Sequence, residues 1–278
     1  MNLKEKIIEL IRKTADELPA DVIAGMEKAE REEDNPVAKE ILGKLLLNVK
    51  EAKGEKKPMC QDTGTPFFYV RYPREYAQKE LTAIINQAID EATEKIPLRP
   101  NAVDCLSGKN IGNKAVIHFE ETDSADAKLE IDLLLKGGGS ENVSIIYSLP
   151  NTELKAGRDL EGVRKCILDA VFKAQGKACP PYIIGVALGG NYESVAGASK
   201  KQLLRKLDDK NPVTELDELE RKVLKEINEL GIGPMGLGGK TTALGVKIFA
   251  GTRHPASYFV GISISCWGLR RQSLTIKN

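Results

Sequence analysis

The strongest constraint on the fold of this chain is a change in hydrophobic period partway along it. Leu3, Ile7, Ile8, Leu10, Ile11, Ala15 and Leu18 recur close to every 3.6 residues, which predicts an amphipathic helix over residues 3–18, ended by Pro19. Asp21 stands where an N-cap would open a second helix through Lys28, and Asn35-Pro36 opens a third through Val49. The run Gly54-Glu55-Lys56-Lys57-Pro58 breaks this helical front. Beyond Cys60, strand-like and helix-like segments alternate. Residues 67–70 read as a strand, and 76–94 as a helix with Leu81, Ile84, Ile85 and Ile89 on one face. Residues 116–120 and 129–135 are expected to pair as a hairpin across the polar segment 121–128. Further helices are expected over 160–175 and 214–230, and a buried strand over 182–188. Residues 242–250 and 257–265 read as closing strands, the second alternating Tyr258, Val260, Ile262 and Ile264. The fold class this predicts is α/β: a single mixed α/β domain over residues 1–278 with a helical N-terminal segment.

Charge and composition narrow the function. With 41 Lys+Arg against 40 Asp+Glu, the net charge of +1 gives no basic surplus for a nucleic-acid partner. An apolar content of 41%, spread along the chain, excludes disorder as the main state. No apolar run approaches the roughly 18 residues of a spanning helix. The start, Met1-Asn2-Leu3-Lys4-Glu5-Lys6, is unlike a signal peptide, so no membrane association and a cytoplasmic location are expected.

Five cysteines, an odd number, fit reduced thiols better than a disulfide scaffold. Cys105 and Cys166 lie among apolar residues and read as small buried hydrophobes. Cys60, Cys179 and Cys266 lie beside Pro, Gly and polar residues, where backbone turns. No C-x-x-C occurs, so spacing supports neither a zinc ribbon nor a ferredoxin-type cluster. By spacing alone, three unrelated cysteines is an equally good reading.

Glycine motifs need the same care. Gly231-Ile232-Gly233-Pro234-Met235-Gly236 matches G-x-G-x-x-G, but a helical segment precedes it and a strand-like run follows, the reverse of a dinucleotide fold. Gly239-Lys240-Thr241 suggests a phosphate loop, yet the position that needs its first glycine is Pro234. Gly137-Gly138-Gly139 fits either a tight turn or a row of backbone amides facing an anion.

Longer strings carry more information. M-C-Q-D-T-G-T-P at 59–66, L-R-P-N-A-V-D at 98–104, K-G-G-G-S-E-N at 136–142 and A-C-P-P-Y-I-I-G at 178–185 occur in that order. G-I-G-P-M-G-L-G-G-K-T-T-A-L at 231–244, R-H-P-A-S-Y at 253–258 and S-C-W-G-L-R-R at 265–271 follow. In these strings the chain resembles, over nearly its whole length, the α subunit of the class I iron–sulfur hydro-lyases, equivalent to the N-terminal domain of single-chain members. The family comprises class I fumarate hydratase and L-tartrate dehydratase.

The resemblance implies a [4Fe–4S] cluster held on loops by Cys60, Cys179 and Cys266. Three thiolates leave one iron open as a Lewis acid for a substrate hydroxyl. It implies that Asp62 does acid/base work at that hydroxyl and that Gln61, Arg99 and His254 bind substrate. Arg99 suits a carboxylate through its planar fork. Gly137 and Gly138 then gain an anionic ligand for their amides. His118, in an expected strand, reads as structural.

Single-chain members carry a further domain that supplies more arginines, a lysine and the carbon-side base. The resemblance therefore implies a hetero-oligomer with a separate β subunit, acting on a small dicarboxylate. The expected reaction is reversible hydration of fumarate to (S)-malate. The alternatives are dehydration of L-tartrate to oxaloacetate, and a non-catalytic iron–sulfur module.

Overall fold

A computed structural model describes residues 1–123 and 128–276. In chain order the elements are α1 (Leu3–Asp16), α2 (Ala20–Glu32), α3 (Pro36–Glu55), β1 (Thr65–Pro73), α4 (Gln78–Lys95), β2 (Val116–Thr122) and β3 (Leu129–Lys136). They continue with α5 (Gly138–Glu141), β4 (Ile145–Ser148), α6 (Leu160–Ala174), β5 (Tyr182–Gly190) and α7 (Tyr192–Lys201). Last come α8 (Thr214–Glu229), β6 (Ala243–Arg253), β7 (Phe259–Ser265) and β8 (Arg270–Ile276). The α/β class expected from sequence holds. The chain forms two compact units: one contains Met1–Pro19, Leu47–Gly138 and the chain from Gly268, the other Ala20–Leu46 and Gly139–Trp267. Among the described residues, no helix is long and apolar enough to cross a membrane.

In the first unit, α1 begins with a reciprocal cap: Asn2 Oδ1 accepts the Glu5 amide at 2.9 Å, and the Glu5 carboxylate accepts the Asn2 amide at 3.0 Å. Its sheet has the order β2-β1-β3-β8. Phe68, Val70, Ile131 and Leu133 of this sheet share a core with Ile7 and Ile11 of α1 and with Leu81 and Ile85 of α4. Here the expected hairpin is corrected. β2 and β3 do not pair; β1 lies between them, parallel to β2 and antiparallel to β3. The reason is burial. β1 is buried along most of its length and takes an interior position, whereas β2 alternates half-buried and exposed residues and serves as an edge. Residues 124–127 of the segment expected to make the hairpin turn lie outside the described residues. Cys105 is also corrected: it is exposed, in a turn where Asp104 takes the amide and hydroxyl of Ser107, beside the fully solvated Leu106. His118 stacks on Tyr69 at 4.8 Å between ring centroids, as a structural residue of β2 would.

In the second unit the sheet order is β4-β7-β5-β6. The unit's core joins Ile184 and Val186 of β5, Val260 and Ile262 of β7, Val163 and Ile167 of α6, and Leu216 and Val223 of α8. Cys166 is fully buried in this core, as expected. α2 begins at Ala20, so Asp21 lies in its first turn instead of capping it; its carboxylate accepts the Leu207 amide at 2.8 Å. Asn35 does cap α3, accepting the amides of Val37 and Ala38. From Leu47 on, α3 belongs to the first unit, and it continues past Val49 to Glu55 because Ala52, a turn further on, is still buried.

Both glycine look-alikes are structural. Helix α8 precedes residues 231–236 and strand β6 follows, opposite to a dinucleotide site. Gly233 has φ +67°, and a Cβ there would stand 1.9 Å from the Gly238 carbonyl oxygen. Lys240 is occupied by protein groups: its amide donates to Glu33 at 2.7 Å and its ammonium pairs with Asp34 at 2.7 Å.

Candidate active site

Cys60, Cys179 and Cys266 all lie where regular structure stops: between α3 and β1, between α6 and β5, and between β7 and β8. All three are half-buried, unlike the sealed Cys166. Partly accessible thiols on loops are chemically suited to hold an iron–sulfur cluster. Within neither unit do three described His, Cys, Asp or Glu side chains gather on one metal ion.

In the first unit the Cys60 segment is anchored from both sides. The Met59 amide donates to the Ala15 carbonyl at 3.1 Å, and Asn48 Nδ2 donates to the Met59 carbonyl at 2.9 Å. The Asp62 amide then points at Cys60 Sγ, 3.4 Å away. Gly64 turns the chain at φ +78°, where a side chain would collide with the Lys136 carbonyl at 2.8 Å. That close approach brings the end of β3 beside Asp62.

The Asp62 carboxylate is held by three donors. Oδ1 accepts the Gly64 amide at 2.8 Å and Asn101 Nδ2 at 2.9 Å; Oδ2 accepts the Gly138 amide at 2.8 Å. The buried Arg270 donates Nη1 to the Asp62 main-chain carbonyl at 2.7 Å. Gly137 borders the same carboxylate, since a side chain there would come within 3.0 Å of Oδ2. The structure thus brings Asp62 together with Gly137 and Gly138 through the glycine-rich segment that follows β3. Gln61 and Arg99 are exposed, and the Arg99 guanidinium makes no ion pair with any described residue.

In the second unit, the Trp267 amide donates to the Cys179 carbonyl at 3.1 Å, tying the Cys266 segment to that of Cys179. Cys179 has φ +53°, a left-handed conformation uncommon outside glycine and often found at functional positions. The Tyr182 hydroxyl holds the turn before it, donating to the Gln175 carbonyl at 2.6 Å and accepting the Ala178 amide at 3.3 Å. Burial, reinforced by the nearby Cys179 and Cys266, pushes that hydroxyl up to about 12.

His254 is exposed after β6. Its Nδ1 accepts the Ala256 amide at 3.1 Å, which leaves Nε2 as the donor of the neutral ring. Arg253 clamps this turn by donating to the carbonyls of His254, Pro255 and Ser257, and Arg158 donates to that of Ala256.

Sequence reasoning missed Asn101, Arg270 and the two clamping arginines. The only signal for the first two was their place inside the L-R-P-N and C-W-G-L-R-R strings.

A protein-family model described as fumarate hydratase (Fumerase) matches residues 4–275. This chain belongs to the class I fumarate hydratase family. It is 43% identical to a Geobacillus stearothermophilus protein provisionally named fumarate hydratase class I, over 99% of this chain but 55% of that protein. The chain therefore spans about half the length of that fumarate hydratase. It is 37% identical to a Methanocaldococcus jannaschii protein provisionally named L(+)-tartrate dehydratase subunit alpha, covering 98% of it. Identity to the Escherichia coli K12 L(+)-tartrate dehydratase subunit alpha is 33%, covering 86% of that protein. The fumarate hydratase family is thus represented here by both kinds of hydro-lyase.

Proposed function

We propose that this chain is the α subunit of a [4Fe–4S]-dependent hydro-lyase that interconverts fumarate and (S)-malate, with Cys60, Cys179 and Cys266 as the cluster ligands. The observation that carries the reading is the Asp62 carboxylate, fixed by three donors two residues beyond a half-buried thiol. Three thiolate ligands leave one iron to supply Lewis-acid activation of the departing hydroxyl.

Dehydration breaks the C–O bond at the hydroxyl carbon and the C–H bond at its neighbour; the C–H electron pair becomes the double bond, and hydroxide leaves with a proton as water. Asp62 serves the oxygen side. Oδ1 already accepts two hydrogen bonds, whereas Oδ2 accepts only the Gly138 amide among the described residues and has a lone pair left for the travelling proton. Asp62 Oδ2 gives that proton to the leaving hydroxyl in dehydration and takes it from water in hydration.

Arg99 binds one substrate carboxylate through its exposed fork. Gln61 and His254 Nε2 orient the remaining oxygens, with Gly137 and Gly138 bordering the Asp62 carboxylate. The carbon-side base and further cationic clamps come from a separate β subunit in a hetero-oligomer. Two relatives named as α subunits, nearly co-extensive with this chain, support that division. They also favour a second reading, L-tartrate dehydration to oxaloacetate on the same site.

Rates with malate and L-tartrate, measured side by side after anaerobic reconstitution with the partner subunit, test the assignment. Faster turnover of malate is expected; faster turnover of tartrate selects the second reading. Asp62→Asn is expected to lower either rate by at least about 100-fold with iron content retained. Unchanged turnover would remove Asp62 from the mechanism.

A further inference from the structure

We propose that Asn101 is a positioning residue, which sets the rotamer of Asp62 and thereby aims Oδ2 at the reacting hydroxyl. The inference rests on the reading of Asp62 as the proton-carrying group. Of the donors on this carboxylate, the Gly64 and Gly138 amides belong to the backbone, and the Asn101 carboxamide is the one side chain among the described residues. An aspartate has two side-chain torsions, and the outer one is broad and soft. Two backbone amides, one per oxygen, leave the tilt of the carboxylate plane to a third contact. Asn101 Nδ2 provides it at 2.9 Å on Oδ1.

Asn101 is itself held from inside the unit. Its amide donates to Asn113 Oδ1 at 3.0 Å, and Asn113 is 3% exposed. Asn113 Nδ2 in turn donates to Thr93 Oγ1 of α4 at 3.1 Å and to the Arg99 carbonyl at 3.3 Å. A hydrogen-bonded relay therefore runs from α4 through the Asn113 side chain and the Asn101 main chain to the Asp62 carboxylate. It passes through the segment that also presents Arg99. From the other side, Arg270 fixes the Asp62 main chain. Asparagine suits the position because it can donate toward a carboxylate. Aspartate has the same shape but would set oxygen against oxygen. A simple turn-former would need no donor aimed 39 residues back along the chain.

The test uses the anaerobically reconstituted holoenzyme and compares Asn101→Ala, Asn101→Asp, Asp62→Asn and the Asn101→Ala/Asp62→Asn double variant. Asn101→Ala is expected to lower kcat roughly 10- to 100-fold, since a misplaced catalytic group is costly, while KM stays within about twofold. Iron content and unfolding midpoint should match the parent. Asn101→Asp, which keeps the shape, should lose more. In the Asp62→Asn background, removing Asn101 should cause no further loss, because the two act as one unit. A kcat for Asn101→Ala within about twofold of the parent, with Asp62→Asn inactive, would overturn the positioning role and leave the reading of Asp62 intact. So would an equal further loss in the Asp62→Asn background. Should Asn101→Ala fail to fold, the isosteric Asn101→Asp decides between the same outcomes. Full turnover by Asp62→Asn would overturn both claims together.

Discussion

Cys105 and Cys166 carry the same thiol in opposite surroundings, and their chemistry should differ accordingly. Cys105 is exposed in a polar turn, whereas Cys166 is fully buried, where burial first and the Asp169 carboxylate second push its thiol up to about 12. At pH 8 the native chain should alkylate at Cys105 and leave Cys166 untouched. Sealed in the core and with its thiol pushed up by burial, Cys166 should label only once the chain is unfolded. Mass spectrometry after iodoacetamide treatment with and without denaturant checks this; rapid native labelling of Cys166 would contradict the packing. Local sequence treated the two alike, because Val103 and Leu106 suggest an apolar setting for Cys105 that the turn never builds. Arg270 shows the same limit. Its sequence context is that of a surface arginine, yet it is 2% exposed and aimed at the Asp62 carbonyl.

The joint between α8 and β6 separates two effects of glycine. Gly231 and Gly233 both take positive φ, +65° and +67°, but a side chain at Gly231 meets nothing within 4 Å, whereas one at Gly233 strikes the Gly238 carbonyl. Gly231→Ala should cost only the left-handed penalty, about 1–2 kcal/mol, and Gly233→Ala clearly more, since the loop must also move. Urea unfolding of both variants measures the difference; equal losses would mean that close approach is irrelevant. At the start of α6, Asp159 accepts the Gly162 amide at 2.7 Å, so Asp159→Ala should cost about 1 kcal/mol in the same assay.

Long periodic helices such as α1, α4, α6 and α8 were legible because their buried faces repeat in the sequence. Strand order was not: β2 and β3 are consecutive strands in sequence, yet the more apolar β1 inserts between them. β8 was missed because Arg270-Arg271-Gln272-Ser273 reads as polar, although the strand pairs along β3. α7 was missed because its small residues give little hydrophobic contrast. At the site, the Cys-rich and Gly-rich strings were legible, but the donors that fix Asp62 converge from distant segments and leave no local pattern.

At the scale of the whole molecule, the proposed function is shared with a second chain. The proposed division of the enzyme between two chains is supported by relatives named as α subunits. The purified, iron-loaded chain alone should show no malate or tartrate turnover above background, and its partner should restore it; full activity without the partner would refute the division. Loss of the open iron in air should abolish activity, and anaerobic iron and sulfide should recover it. The central claim is that three of the five cysteines hold the catalytic cluster, and iron and acid-labile sulfide in the anaerobically reconstituted chain test it most directly. About four irons per chain are expected in the parent and in the Cys105→Ser and Cys166→Ser variants, with that content lost in Cys60→Ser, Cys179→Ser and Cys266→Ser. Zinc in place of iron, or a full cluster surviving all three of those substitutions, would contradict the account.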